Sequence, residues 1–449
     1  MKTKTPLLLV ISILLIAGIM LWVGRAVLAQ NPDDGWQVIA PGIEYQKFVL
    51  PAPNHVYVAR MERNNPDATL DSTIAQGRLS GGLERVSGMF NRYEDTINYW
   101  GESWGKRNDV VVAINGYFYG PDHEPPGVPW RGQIHSGWYA KRFDNLENGS
   151  GFVWKLNRQA FIGECVYHEP TQQIITFPEV PNSTPVQFKG INIPRSSDQL
   201  ILYTPQFNAN TLTDNSGLEV LVEMKRPTLV LPPTLFAFPG LDTFLDWREA
   251  HAPVSRDPNA EALGIVRQIR DGQGSTPIPF DHIVLSATGT ARTQLLEYLA
   301  DDMEIGVSQA IKNFSDVNCA TPLTGIDWTK AYASIGGSFY FLKDNVINGF
   351  PGNPQATTRN ARTAIAYNDD HIFFIVVDWF NIPNTNTPVS VGMTISELGL
   401  FARDTLGATF GIAQDGGGSS TMVIHGVVVN TPRHNPDGIV PVPCDPLPT

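Results

Sequence analysis

The chain has 449 residues, 17 % of them charged, with 32 Lys and Arg against 44 Asp and Glu for a net charge of −12. That length allows one large domain with insertions, and the low charge together with 40 Gly and 35 Pro describes a folded, turn-rich chain rather than a disordered one. The acidic balance, with no basic stripe, excludes nucleic acid as an expected partner, because affinity for a phosphate backbone comes from clustered Lys and Arg.

Lys2 and Lys4 precede an apolar stretch from Pro6 to Gly24, followed by Arg25 and Val27-Leu28-Ala29-Gln30. This is the layout of an export signal. The stretch falls just short of the ~20 residues of a spanning helix, so residues 1–29 are expected to be a signal peptide or an N-terminal membrane anchor. Either way the remainder is expected outside the cytoplasm, secreted or held at the membrane, with the positive end inside. Residues 30–45 are polar and contain proline, as a linker would. The folded domain is expected over 46–435 and a C-terminal tail over 436–449.

From Leu79 the positions of Leu83, Val86, Phe90 and Tyr93 predict an amphipathic helix. The run Val110 to Ile114 predicts a buried strand ending at Asn115-Gly116. Residues 120–149, rich in Pro, Gly and Trp, predict a long ordered loop. Short alternating segments at Gly151–Leu156, Leu200–Tyr203, Leu218–Glu223 and Ile283–Ser286 predict a β-rich segment over about 160–290, with 235–280 an irregular insertion. Arg292–Leu299 predicts a short helix, and Ala331–Ile335, Thr363–Ala366 and His371–Asp378 predict strands. Thr394 and Glu397 have capping-box spacing, Ile395, Leu398, Ala402 and Leu406 recur helically, and Gly407 fits the stop. A strand Thr409–Ala413, a glycine run and a strand Thr421–Val429 follow. The fold class is α+β: a mixed β-sheet core with flanking helices and a β-rich middle.

Chemistry concentrates at strand ends. Asp415-Gly416-Gly417-Gly418-Ser419-Ser420 lies between two strands. Successive glycines permit positive φ and close approach of a ligand. Their amides can converge into an anion nest, with two hydroxyls and a carboxylate beside it; a flexible hairpin is the competing reading. No Gly-Lys-Ser/Thr closes the run, so it is not a nucleotide P-loop. Nor does it have the strand-to-helix setting of a serine nucleophile elbow.

Asp378 ends an apolar strand, and with Asp415 it can supply the two carboxylates of glycoside cleavage. Solvent exposure or ion pairing is the alternative for Asp378. Arg362 can offer a fork to phosphate, and Asn115 can bind a sugar hydroxyl or hold a neighbouring carboxylate. Taken singly, each is more often a turn or ion-pair residue than a site residue.

His123, His135, His282, His425 and His434 lack ligand spacing and read as surface residues, so no metal or other cofactor is expected. Trp130, Trp138, Trp154 and Trp379 can stack on sugars, although packing is the commoner role. Cys165, Cys319 and Cys444 are far apart, with no zinc or redox pair and no readable connectivity.

Long ordered blocks carry a resemblance: AINGYFY at 113–119, INIPRSSDQLILYTPQFNANTLTDNSGLEVLV at 191–222, IPFDHIVLSATG at 278–289 and ASIGGSFYFLKDNVING at 333–349. RNARTAIAYNDDHIFFIVVDW at 359–379 and GMTISELGLFARDTLGATFGIAQDGGGSSTMVIHGVVVN at 392–430 complete them. The chain resembles the phosphodiester glycosidases, the family of the lysosomal uncovering enzyme. The resemblance implies that Asn115, Arg362, Thr363, Asp378, Asp415, Gly416, Gly417, Gly418, Ser419 and Ser420 line one pocket. It also implies hydrolysis of a sugar linked through its anomeric carbon to a phosphodiester. Tyr117 after Gly116, and Trp379 after Asp378, depart from the smaller residues usual in the family and bear on the sugar accepted.

The expected function is thus an exported glycosidase acting on a sugar-1-phosphodiester, or a related linkage, in envelope or extracellular glycans. The alternative is a non-catalytic polysaccharide-binding or exopolysaccharide-assembly protein on the same fold. A metal-dependent phosphodiesterase is disfavoured by the lack of ligand spacing.

Overall fold

The segment His371–Val377 is apolar on both faces, so it has to be covered on both sides, and it lies inside an eight-stranded sheet. The strand order is Gln37–Ala40, Ile43–Leu50, Asn54–Glu62, His371–Val377, Arg362–Tyr367, Phe410–Ala413, Tyr340–Lys343 and Val346–Ile347. From Ile43–Leu50 onward each pairing is antiparallel. This sheet is thus antiparallel where a mixed one was expected, while a second large sheet does contain a parallel pair, Gly190–Ile191 beside Leu200–Tyr203.

The computed structural model describes residues 35–432 apart from 52, 98–108, 121–126, 144–150, 156, 164–165, 225–261, 280, 314–330 and 383–384. The expected signal or anchor, the C-terminal tail, the three cysteines, His123 and His434 lie outside the described residues. Val38–Thr449 is one unit, following a short unit Met1–Gln37.

Register assigns the two faces of this sheet. Tyr57, Ala59 and Met61 align with Val376, Phe374 and Ile372, which align in turn with Thr363, Ile365 and Tyr367. Val56, Val58, Ile375 and Val377 occupy the opposite face and are completely buried. The helix Ile395–Leu400 packs by Tyr340–Lys343 and Val346–Ile347. At Gly399 an added Cβ would lie 2.9 Å from Ile347 Cγ2, so glycine permits that approach. The expected capping box is present in both directions. The following turn, Phe401–Thr405, is π-wound, and Gly407 at φ +71 ends it in the left-handed region.

A second eight-stranded sheet is built from the middle of the chain, with its own core around Leu202, Val220, Val222, Leu285 and Val307. A five-stranded sheet centred on Gly151–Lys155 and Ala331–Ile335 contributes Phe152, Trp154, Tyr332 and Ala333 to the core over the first sheet. A three-stranded sheet joins Val112–Ile114 to Met422–Ile424 and Val427–Val428.

The molecule is mostly β-sheet with few helices, so the α+β expectation stands only in part. The helix expected from Leu79 begins at Val86, after short 3-10 turns. The loop expected over 120–149 contains strands Val128–Pro129, Gln133–His135 and Trp138–Lys141. Ala262–Asp271, inside the expected irregular insertion, is a ten-residue strand paired on both sides. The expected strand Thr421–Val429 is a hairpin turning at His425 and Gly426, both at positive φ. The linker expected over 30–45 contains the strand Gln37–Ala40 and the start of the next.

Candidate active site

Phe410–Ala413 is an interior strand, and its chain leaves the sheet just beyond the Gln414 amide, which donates to Thr363 O at 2.8 Å. Asp415 is thus carried from the large sheet toward the three-stranded one, and its amide donates to Gly116 O at 3.1 Å. Asn115 fixes the junction. Its Nδ2 donates to Asp415 O at 2.8 Å, while its Oδ1 accepts from Thr363 Oγ1 at 2.7 Å and from Thr421 N at 3.0 Å. Of the two roles open to Asn115 in the sequence, the structure gives it that of holding its neighbour, through the Asp415 main chain.

The glycines serve close approach more than anion binding. A Cβ at Gly416 would lie 2.7 Å from Ala361 O, and Gly417 has φ +65. The Gly417 amide donates to Ala361 O at 2.9 Å, and those of Ser419 and Ser420 to Gly416 O and Gly417 O at 3.4 Å. These three amides are engaged within the turn and are not free to converge on an anion. Gly418 and Ser419 do reach the cavity described below. Ser420 is buried, and its Oγ has no hydrogen-bond partner.

Asp415 accepts a hydrogen bond from Ser419 Oγ at 2.6 Å. Burial pushes its pKa up to about 6, against the opposing hydrogen bonds from Ser419 and the Gly416 amide. Burial also raises the Tyr119 phenol, with the Asp415 charge adding to it. A carboxyl group poised near neutrality at a cavity wall is suited to proton transfer.

That cavity, of about 1200 Å³, has Asp415, Asn115, Gly418, Ser419, Tyr117 and Tyr119 in its wall. Arg131 lines it too and was not singled out in the sequence, where nothing around Pro129-Trp130-Arg131-Gly132 forms a motif. A Cβ on Gly336 would lie 2.7 Å from Arg131 Cβ and 2.9 Å from Tyr117 Cδ1, so Gly336 lets both stems pack against one turn. Tyr117 follows Gly116, whose carbonyl accepts from the Asp415 amide, so Tyr117 is adjacent in the chain to the residue that holds Asp415. Trp130 is 48 % exposed and lies over Phe118, with ring centroids 5.7 Å apart.

Arg362 and Asp378 occupy other places. The Arg362 guanidinium donates to Met393 O, Gln355 O and Thr358 O at 2.9, 2.8 and 2.7 Å. Burial pulls its pKa down to about 10. It ties the short helix Pro354–Thr357 and its C-cap Thr358 to Met393 and is not in the cavity wall. Asp378 is 1 % exposed and also outside that wall. It accepts from Asn430 Nδ2 at 2.9 Å, from the Thr431 amide at 3.0 Å and from the Tyr57 hydroxyl. Burial raises its pKa to about 6, which these donors oppose. Asn430 Nδ2 also donates to Ser420 O at 2.9 Å, so Asp378 braces the end of the glycine loop from behind. Thr363 is buried and reaches the site through Asn115.

The cavity has a second polar pole. Asp71 accepts from Ser136 N, Ser136 Oγ and Tyr93 OH at 2.9, 2.5 and 2.7 Å, and pairs with His135 Nδ1 at 3.4 Å. Burial opposes the charge on Asp71, but His135 and Ser136 outweigh it and lower its pKa. For His135 burial acts downward, and Asp71 and Ser72 O outweigh it to raise its pKa. His135, expected at the surface, is thus half-buried in an ion pair. Among the described residues no three His, Cys, Asp or Glu side chains come together as metal ligands do.

Residues 284–443 match the family model described as phosphodiester glycosidase. Among solved structures, a hypothetical protein from Synechocystis aligns at 15 % identity and TM-score 0.46, over 88 % of this chain, which spans 61 % of that one. An exported-protein candidate of Burkholderia pseudomallei K96243 aligns at 17 % and 0.49, over 85 % of this chain and 71 % of the other. The zebrafish N-acetylglucosamine-1-phosphodiester α-N-acetylglucosaminidase catalytic domain, auto-inhibited by pro-peptide, aligns at 11 % and 0.33, over 87 % and 75 %. A search of the curated proteins finds no match.

Proposed function

From a phosphodiester glycosidase family domain over residues 284–443, we propose that the protein hydrolyses a sugar-1-phosphodiester, with Asp415 as the proton-accepting group. The observation that carries this reading is the Asp415 carboxyl, with its pKa near 6, hydrogen-bonded by Ser419 at the wall of a large cavity that Arg131 also lines.

Water attacks the anomeric carbon and gives its proton to Asp415. The bond from that carbon to the bridging oxygen breaks, and the phosphomonoester leaves with the electron pair. A phosphomonoester is a weak base, with a second pKa of ~6, so it departs without the proton that an ordinary glycoside's alkoxide requires. One carboxylate in the cavity therefore suffices. Asp378, the second carboxylate expected from the sequence, acts as a brace for the loop. Arg131, with no ion-pair partner among the described residues, takes the phosphate role first assigned to Arg362. A single carboxylate acting as base leads to inversion at the anomeric carbon. The protein works outside the cytoplasm on this reading, in keeping with the layout of residues 1–29.

Hydrolysis in ¹⁸O-water tests the reaction class directly. Label in the released sugar is the expected result. Label in the phosphate would instead mean attack at phosphorus, the reaction of a phosphodiesterase. Arg131→Ala is expected to raise KM for the diester at least tenfold, as loss of a charge-assisted contact does, with a smaller effect on kcat.

A further inference from the structure

The middle of a broad sheet is where burial is usually most complete, since packed interiors contain few voids larger than a water molecule. Phe373 and Ile375 obey this, at 1 % and 0 % exposed, but Phe374 between them is only half-buried. Phe374 is aligned with Ala59 on one side and Ile365 on the other, so it is not at the sheet's edge. Ile114 and Ile335, on the sheets facing it, are half-buried too. All five of the residues Ala59, Ile114, Ile335, Ile365 and Phe374 line the same cavity of about 1200 Å³ as Asp415.

This volume exceeds the ~300–1,000 Å³ of ordinary small-molecule pockets. One sugar and its phosphate at the Asp415 end leave the apolar part of the cavity unfilled. The cavity also has polar groups, around Asp71 and Ser136, but the stretch of wall formed by Ala59, Ile114, Ile335, Ile365 and Phe374 offers no polar side chain. A hydrocarbon is therefore favoured there, and a sugar hydroxyl lying on it would lack a partner. Continuity between this apolar space and the Asp415 carboxylate selects the occupant: it has to be attached to the group being cleaved.

We infer that the alcohol esterified to the phosphate is a long hydrocarbon chain, so that the substrate is a lipid-linked sugar phosphate whose chain lies over the Ala59, Ile365 and Phe374 face. The inference rests on the hydrolytic reading above and names its substrate class. Each methylene removed from water strengthens binding about fourfold, so chain length is a sensitive probe.

The test compares ethyl and decyl diesters of one sugar-1-phosphate below micelle formation, alongside calorimetric binding of decyl phosphate to the full chain. The expected result is a kcat/KM at least tenfold higher for the decyl diester, with decyl phosphate bound. Ala59→Phe, which projects a ring into the apolar space, is expected to reduce that preference by tenfold or more. Equal kcat/KM for the two diesters and no binding of decyl phosphate would overturn the inference, whatever the folding of the variant. Turnover of neither diester with decyl phosphate still bound would support the chain site and overturn hydrolysis instead.

Discussion

Asp378 shows how a residue's place in sequence and its role can part. Its position at the end of an apolar strand is readable, but the donors that hold it, Asn430, Thr431 and Tyr57, come from distant parts of the chain. Arg362 is similar in part: the Gln355 and Thr358 carbonyls that engage it lie just upstream, but the third, Met393, comes from a segment with no pattern marking its return. Asp415 and Ser419 were legible because glycine-run turn chemistry is local. Arg131 was not, because its place depends on packing at Gly336.

For Asp378 the folded state holds the proton more tightly than the unfolded chain, about 6 against 3.8. Its contribution to stability is therefore present with the carboxyl protonated and is lost as pH rises from about 4 to about 6. At ~1.4 kcal/mol per pKa unit, that loss is about 2–3 kcal/mol. In urea unfolding, Asp378→Asn is expected to gain that much relative to the wild type between pH 4 and pH 7; parallel profiles would refute the buried-carboxylate account. At Gly416 an added methyl meets a backbone oxygen at 2.7 Å. Gly416→Ala is expected to destabilise by roughly 1–3 kcal/mol, the usual cost of overpacking, as read by the same unfolding assay.

Among the elements, those with strong local chemistry were readable. Leu200–Tyr203 and Ala331–Ile335 have the bounds that their apolar runs predict, and the helix after Thr394 has its predicted capping box. Thr394→Ala removes the side-chain acceptor for the Glu397 amide, held at 3.2 Å. A loss of ~1 kcal/mol follows from the general value of such caps, measurable as a shift of the urea midpoint at unchanged slope. Where partners are remote, the reading failed. Ala262–Asp271 is a strand because Leu218–Met224 and Glu304–Asn313 flank it, and its own sequence, with Arg267, Gln268 and Arg270, has no clear alternation. The antiparallel run of the first sheet was not legible for the same reason: pairing between Asn54–Glu62 and His371–Val377 joins segments more than three hundred residues apart in the chain, and neither carries a sign of orientation.

At the scale of the whole molecule, the antiparallel sheet delivers Asp415 from an interior strand to the wall of a cavity that the three-stranded and five-stranded sheets help to line. A β-rich middle was legible from turn spacing, but the cavity was not, since it arises where faces of separate sheets fail to fill the space between them. The central claim is that Asp415 is the base of this assembly, and the pH dependence of kcat/KM on a sugar-1-phosphodiester tests it most directly. The rate is expected to rise as Asp415 ionises, with an acid limb near its pKa of about 6 and a plateau above. Asp415→Asn is expected to abolish turnover while remaining folded and, as for Asp378→Asn, to gain up to about 2–3 kcal/mol of stability relative to the wild type between pH 4 and pH 7, because the buried charge is removed. Full activity in that variant, with the acid limb unchanged, would contradict the account.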